Sequence, residues 1–134
     1  MNITEKPTLQ DFQLDGVKHI APQEAYYAAK NNRAILLDIR EDYEWKTEKI
    51  DLKEVLYHPM SAIMDRIQHI PDDKLIIVAC TKGERSTKIA NLLNRHGFKN
   101  VANLDGGIDE WKKQNLPIES AGTSGCGCGC SCNG

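Results

Sequence analysis

The sequence predicts an α/β fold, a parallel β-sheet with helices packed on both faces. Three observations carry this. Leu75-Ile76-Ile77-Val78-Ala79 is an unbroken apolar run rich in β-branched side chains, which is how a strand buried on both faces reads. Ala34-Ile35-Leu36-Leu37 is a second run of that kind. Around them, segments with helical spacing alternate with short strands, and such alternation builds parallel sheets through crossover helices.

Length and composition set the bounds. The 134 residues, 40% of them hydrophobic, suffice for one domain with its own core. A formal charge of −2 gives no sign of a nucleic-acid surface. No apolar run approaches a membrane span, and Met1–Lys6 lacks the basic-then-apolar order of a secretory signal. A cytoplasmic protein without nucleic-acid or membrane partners is expected. Four of the five cysteines lie in the last nine residues, so the body holds only Cys80 and has no internal disulfide to form.

Residues 1–16 are polar and without period, and read as an N-terminal arm or irregular lead-in. The expected domain covers residues 17–119. Val17 to Ile20 suits a short strand. Pro22 fits the first turn of a helix over Gln23 to Lys30, and Asn31-Asn32-Arg33 is a turn signal. The strand Ala34–Leu37 ends at Asp38-Ile39-Arg40. Asp42 to Lys49 is charged, with Tyr43 and Trp45 between the charges, and suggests a short helix or loop. Val55-Leu56-Tyr57 suits a strand. Ser61 looks like the N-cap of a helix with an Ile63, Met64, Ile67, Ile70 stripe. After the central strand, Ile89, Leu92, Leu93 and His96 form one helical stripe, which Gly97 ends. Val101–Leu104 is the last strand, and Asp105-Gly106-Gly107 turns into a helix over roughly Ile108 to Gln114, with Pro117 beyond it.

The chain is organised around Cys80-Thr81-Lys82-Gly83-Glu84-Arg85-Ser86. A lone cysteine sits at the carboxyl end of a buried strand, on a short loop entering a helix, which is where open α/β sheets bind ligands. Loop N–H groups and the helix dipole favour an anion there, and thiolate over thiol. Lys82 and Arg85 add positive charge and Glu84 offsets part of it. A phosphatase loop wraps a tetrahedral phosphate with one more residue between its cysteine and arginine. The shorter ring here suits a smaller group, such as a sulfur atom carried on the cysteine. A thiolate that attacks a sulfane sulfur, expels sulfite and becomes a persulfide would perform covalent catalysis in two half-reactions.

Cys80-x-x-Gly83-x-Arg85-Ser86 resembles the active-site loop of single-domain rhodaneses, the thiosulfate sulfurtransferases. Leu36-Leu37-Asp38-Ile39-Arg40-Glu41-x-x-Glu44-Trp45 resembles the family's first signature, and Leu104-x-Gly106-Gly107 with Trp111 and Leu116-Pro117 its C-terminal one. The resemblance spans roughly residues 17 to 119, with all three motifs in the family's order. It implies a three-layer rhodanese-like fold, a parallel five-stranded sheet, and Cys80 as the sulfur carrier. Glu48-Lys49-Ile50-Asp51-Leu52-Lys53 departs from the family's Gly-His-Ile and Pro-Gly-Ala pattern, so a different local turn and a more charged rim are expected.

Each site residue also has a plainer reading. Cys80 could be an inert core thiol, but its loop context favours catalysis. Thr81, Lys82, Gly83, Glu84, Arg85 and Ser86 form the expected substrate loop. Arg85 would contact an anion or brace the loop, Lys82 is equally a solvated lysine, and Ser86 is equally a helix cap. Asp38 and Arg40 end a strand on the same side of the sheet as Cys80; they are expected to form an ion pair and loop caps that support the loop indirectly, with shaping of the pocket wall as the alternative. Gly106, Gly107 and Trp111 read as turn and packing residues. His19, His58, His69 and His96 show no ligand spacing, although His58 could border the site.

Residues 120–134 read as a flexible Cys-rich tail, with Cys126, Cys128, Cys130 and Cys132 at every second position. Such thiols are soft ligands for Cu(I), or for Zn shared in a cluster. Equally, they could take sulfur from Cys80, since from Ser120 to Cys132 the extended chain reaches about 40 Å. The expected function is a sulfurtransferase that needs no organic cofactor. It would move sulfur from thiosulfate or a persulfide donor through a Cys80 persulfide to a thiol, protein or cyanide acceptor. The alternatives are a persulfide or soft-metal carrier working through the tail, and a small phosphatase or arsenate reductase on the same fold.

Overall fold

The computed structural model describes residues 3–53 and 55–120, so Cys126, Cys128, Cys130 and Cys132 lie outside the described residues. In chain order the elements are β1 (Ile3–Thr4), β2 (Lys18–Ile20), α1 (Pro22–Lys30), β3 (Ala34–Asp38), α2 (Asp42–Trp45), β4 (Glu48–Ile50) and β5 (Val55–Tyr57). Then follow a 3-10 turn at Met60–Ala62, α3 (Ile63–Arg66), a 3-10 turn at Ile67–His69, β6 (Leu75–Ala79), α4 (Glu84–Arg95), β7 (Val101–Leu104), α5 (Gly107–Lys113) and β8 (Ile118–Ser120).

Strands β2, β7, β6, β3 and β5 pair in that order, all parallel. They are the sheet the sequence leads one to expect. Two pairings enlarge it. β1 adds a sixth, antiparallel strand at the β2 edge, with Ile3 opposite Ile20 and Thr4 opposite His19. β4 and β8 form a separate antiparallel ribbon. Both were illegible because Ile3–Thr4, Glu48–Ile50 and Ile118–Ser120 each hold a single apolar residue, and so show neither a run nor a period. The N-terminal arm is therefore partly regular, and Ser120 belongs to β8 rather than to the tail.

Period-two alternation divides the core. Ile35, Leu37, Ile76 and Val78 face one side, where Ile63, Ile70, Ile89 and Leu93 cover them. Ala34, Leu36, Ile77 and Ala79 face the other, against Ala25, Ala28, Ile108 and Trp111. Three layers result, because strands apolar on both faces need helices on both. The Trp111 indole N–H donates to the Pro117 carbonyl at 2.8 Å, fixing the start of β8 under α5.

Other local expectations changed. The helix expected from Ser61 is broken into α3 and two 3-10 turns, and Ser61 lies inside the first turn. Its hydroxyl donates to Glu41 Oε1 at 2.9 Å instead of capping. His96, placed on the apolar stripe by spacing, is exposed just past the end of α4. No helix among the described residues is long and apolar enough to cross a membrane.

Candidate active site

Cys80 directly follows β6 at the carboxyl edge of the sheet, and α4 starts at Glu84. Its Sγ accepts hydrogen bonds from the Gly83 N–H at 3.1 Å and the Ser86 N–H at 3.3 Å. The Ser86 Oγ lies 3.3 Å from the same sulfur. Donors aimed at sulfur stabilise its anionic forms, thiolate and persulfide alike. The residue is only 1% exposed, yet it helps line an open cavity of about 400 Å3 with Glu44, Thr81, Lys82, Glu84 and Arg85. Gly83 makes the turn possible. Its φ is +98°, in the left-handed region, and a Cβ there would collide with the Gln10 side chain.

The loop is held from outside as well. The N–H groups of Ile108 and Asp109, in the first turn of α5, donate to the carbonyls of Cys80 and Thr81 at 2.8 and 2.9 Å. This approach requires Gly107, whose φ is +69° and whose Cβ would stand 2.6 Å from the Cys80 carbonyl oxygen. Gly107 therefore sets the loop's position, beyond the turn and packing role that the sequence suggested.

Arg85 does not point free into the cavity. Its Nη1 and Nη2 donate to Glu44 Oε1 and Oε2, both at 2.8 Å. The Thr81 hydroxyl donates to Glu44 Oε2 at 3.3 Å. The guanidinium hydrogen bonds hold the Glu44 carboxyl down to about 2, and Glu44 in turn raises Arg85. Glu44 stands in the first signature motif, but nothing in the sequence gave it this partner. Lys82 is exposed, makes no ion pair among the described residues, and is the cation nearest the mouth free to meet an anion.

Asp38 and Arg40 form a buried pair: Arg40 Nη2 lies 2.9 Å from Asp38 Oδ2 and Nε 3.0 Å from Oδ1. Arg40 Nη2 also donates to the Glu48 carbonyl at 2.7 Å, tying β3 to β4. Neither residue lines the cavity, nor does His58. Ser86 is not the helix cap, which is Gly83. It lies one turn in, with its hydroxyl under the Cys80 sulfur. Sequence reasoning missed Gln10, His19 and Asn103, which back the loop. Asn103 carried one signal, a polar residue inside a strand buried at every position. Among the described residues, no group of three or more His, Cys, Asp or Glu side chains could hold a metal ion.

A parallel sheet with a cysteine on a strand-to-helix loop, its sulfur met by loop amides, defines a class: α/β domains that present a cysteine-centred loop at the carboxyl edge of the sheet. The chain belongs to the rhodanese-like domain family, whose sequence model matches residues 21–114. It is 36% identical over 97 residues to the tRNA uridine(34) hydroxylase of Chlamydia muridarum, a match covering 68% of this chain and 30% of that protein. The enzyme of the same name from Chlamydia felis is 34% identical over the same shares. The chain thus spans less than a third of the length of these curated relatives. Among solved structures, a rhodanese-related protein from Thermoplasma volcanium superposes with a TM-score of 0.68 at 25% identity, covering 75% of this chain and 96% of that one. The polysulfide-sulfur transferase of Wolinella succinogenes shares the fold, with a TM-score of 0.69 at 24% identity over 79% of this chain and 80% of its own.

Proposed function

We propose that this domain is a sulfurtransferase that carries sulfane sulfur on Cys80. The Cys80 thiolate attacks the outer sulfur of thiosulfate, the S–S bond of the donor breaks, and sulfite leaves with the electron pair. The Cys80 persulfide then yields its outer sulfur to a thiolate or to cyanide, and the Cys80 thiolate returns. The observation that carries this reading is the pair of loop N–H groups at 3.1 and 3.3 Å from Sγ, on a loop whose four residues between Cys80 and Arg85 favour a group smaller than phosphoryl. The test is thiosulfate:cyanide activity of the wild type beside Cys80→Ser, with intact-mass measurement of the loaded protein. Thiocyanate formation and the mass of one added sulfur, both lost in Cys80→Ser, are expected. Hydrolysis of an aryl phosphate without sulfur loading would select the phosphatase instead.

The curated relatives suggest a second reading, a module acting in uridine hydroxylation of tRNA. The identity to those proteins favours it; the net charge of −2 favours sulfur transfer to small or protein acceptors. Assaying tRNA hydroxylation with the same two variants separates the readings.

The tail extends the first reading. β8 ends with Ser120 opposite Glu48, four residues past the Glu44 that braces Arg85. Cys126 is six residues farther on, an extended reach of about 20 Å. A tail thiolate would attack the outer sulfur of the Cys80 persulfide, freeing the Cys80 thiolate and becoming a persulfide itself. Peptide mapping after thiosulfate loading tests this: added sulfur on Cys80 alone overturns it. Cu(I) or Zn uptake lost on deleting residues 121–134 would assign the tail to metal instead.

A further inference from the structure

Behind Cys80 lies a chain of buried polar groups that the proposed reaction does not use. Ser86, Asn103 and His19 are each 0% exposed. The Ser86 hydroxyl bonds Asn103 Oδ1. Asn103 Nδ2 lies 3.0 Å from both Gln10 Oε1 and His19 Nδ1. Gln10 enters from the N-terminal arm, between the loop and the turn into α5.

We propose that Asn103 is a positioning residue that competes with Cys80 for the single hydroxyl hydrogen of Ser86, and thereby restrains the reactivity of the Cys80 sulfur.

Backbone groups fix the direction of every bond in this chain. The Gly106 N–H, which can only donate, donates to Gln10 Oε1 at 2.9 Å. The carbonyls of Phe12 and Gly83, which can only accept, receive Gln10 Nε2 at 2.9 and 3.2 Å. The Gln10 amide therefore has one orientation. The group facing its Oε1 must be the Asn103 NH2, so Asn103 turns Oδ1 toward Ser86. Ser86 gives Asn103 its only hydrogen and meets the Cys80 sulfur with lone pairs.

That arrangement suits a thiol, whose S–H donates to Ser86 Oγ. Once the sulfur is an anion, it and Asn103 Oδ1 claim the same hydrogen. If the hydrogen turns to sulfur, a buried carbonyl oxygen loses its donor; if it stays, lone pairs face the anion. The Gly83 and Ser86 amides serve the sulfur in either case, so the claim of Asn103 is the adjustable part. His19 holds the far end. Its Nδ1 accepts from Asn103, which puts its hydrogen on Nε2, an atom with no hydrogen-bond partner among the described residues. Burial lowers the His19 pKa by more than Asp105 raises it, which favours the neutral ring that can accept at Nδ1. The other titratable groups around this chain are Glu44, Lys82, Glu84 and Arg85 at the mouth, and the paired Asp38, at the end of β3, and Arg40, two residues beyond it.

The proposal rests on Cys80 as a nucleophile but not on sulfur transfer. Its readout is alkylation of Cys80 by iodoacetamide against pH, followed on the Cys80 peptide of the full chain. Asn103→Leu removes the competitor with little change in volume. It is expected to lower the pH midpoint of alkylation and to speed the reaction about tenfold at mildly acidic pH, the worth of one charge-assisted hydrogen bond. Ser86→Ala removes the contested hydrogen, so Asn103→Leu should have no further effect in that background. An unchanged or raised midpoint in Asn103→Leu overturns the proposal, as does an equal acceleration with and without Ser86. Asn103→Ala supplies the same comparison if the leucine variant fails to fold. Absence of thiocyanate formation in the wild type would end the sulfurtransferase reading and leave this test standing.

Discussion

Arg85 and Glu44 meet end to end, two nitrogens on two oxygens at 2.8 Å, across 41 positions of sequence. The pair joins the first turn of α4 to α2 and largely neutralises the arginine in the loop. Fork-to-fork geometry is the form in which an ion pair gives direction as well as energy. Here it fixes one wall of the Cys80 cavity.

Removing the carboxylate should release that charge toward the donor. Glu44→Gln is expected to lower KM for thiosulfate severalfold and make it steeply dependent on salt, because an unpaired guanidinium then attracts the dianion. Steady-state kinetics at two ionic strengths check this. A KM that rises in Glu44→Gln would show that Arg85 needs its partner in order to bind anions.

Stability should fall in two stages on acidification. His19 and His58 have lowered pKa values through burial, so the folded protein resists protons that the unfolded chain binds. Their contribution is complete above 6.5, the ordinary histidine value, and declines as pH drops below it. Glu44 titrates near 2 instead of 4.5, so the ion pair's contribution is complete above 4.5 and lost as pH falls toward 2. Thermal melts across this range test the order: Glu44→Gln should flatten only the lower stage, and His19→Gln should reduce only the upper.

Gly107→Ala combines a positive φ with a Cβ set against the carbonyls of Cys80 and Thr81. The expected loss is about 2–3 kcal/mol of stability, read from urea unfolding. Cys80 should also load sulfur more slowly, since α5 must withdraw its two N–H groups from the loop. A variant with wild-type stability and loading would mean that α5 does not set the loop.

Arg40→Ala leaves Asp38 buried and unpaired, with a predicted cost of about 3–5 kcal/mol. Replacing both residues with apolar ones of similar size should cost much less, because no lone charge remains. Urea unfolding of the single and double variants decides it, and equal losses would contradict the pairing.

The sequence by itself determined the five parallel strands, the place of Cys80 at the end of β6 and the four residues between it and Arg85. These are local properties. An apolar run declares a strand buried on both faces, and Gly83 after a cysteine declares a tight loop. Asp38 and Arg40 were legible as a pair because two positions separate them on one strand end. Only the tertiary structure decided that Arg85 belongs to Glu44, that Ser86 lies under the sulfur instead of capping a helix, and that Gln10 reaches Gly83, Asn103 and Gly106 from the far end of the chain. A polar side chain takes its role from the partner that packing brings to it. No period or spacing encodes a partner tens of residues away.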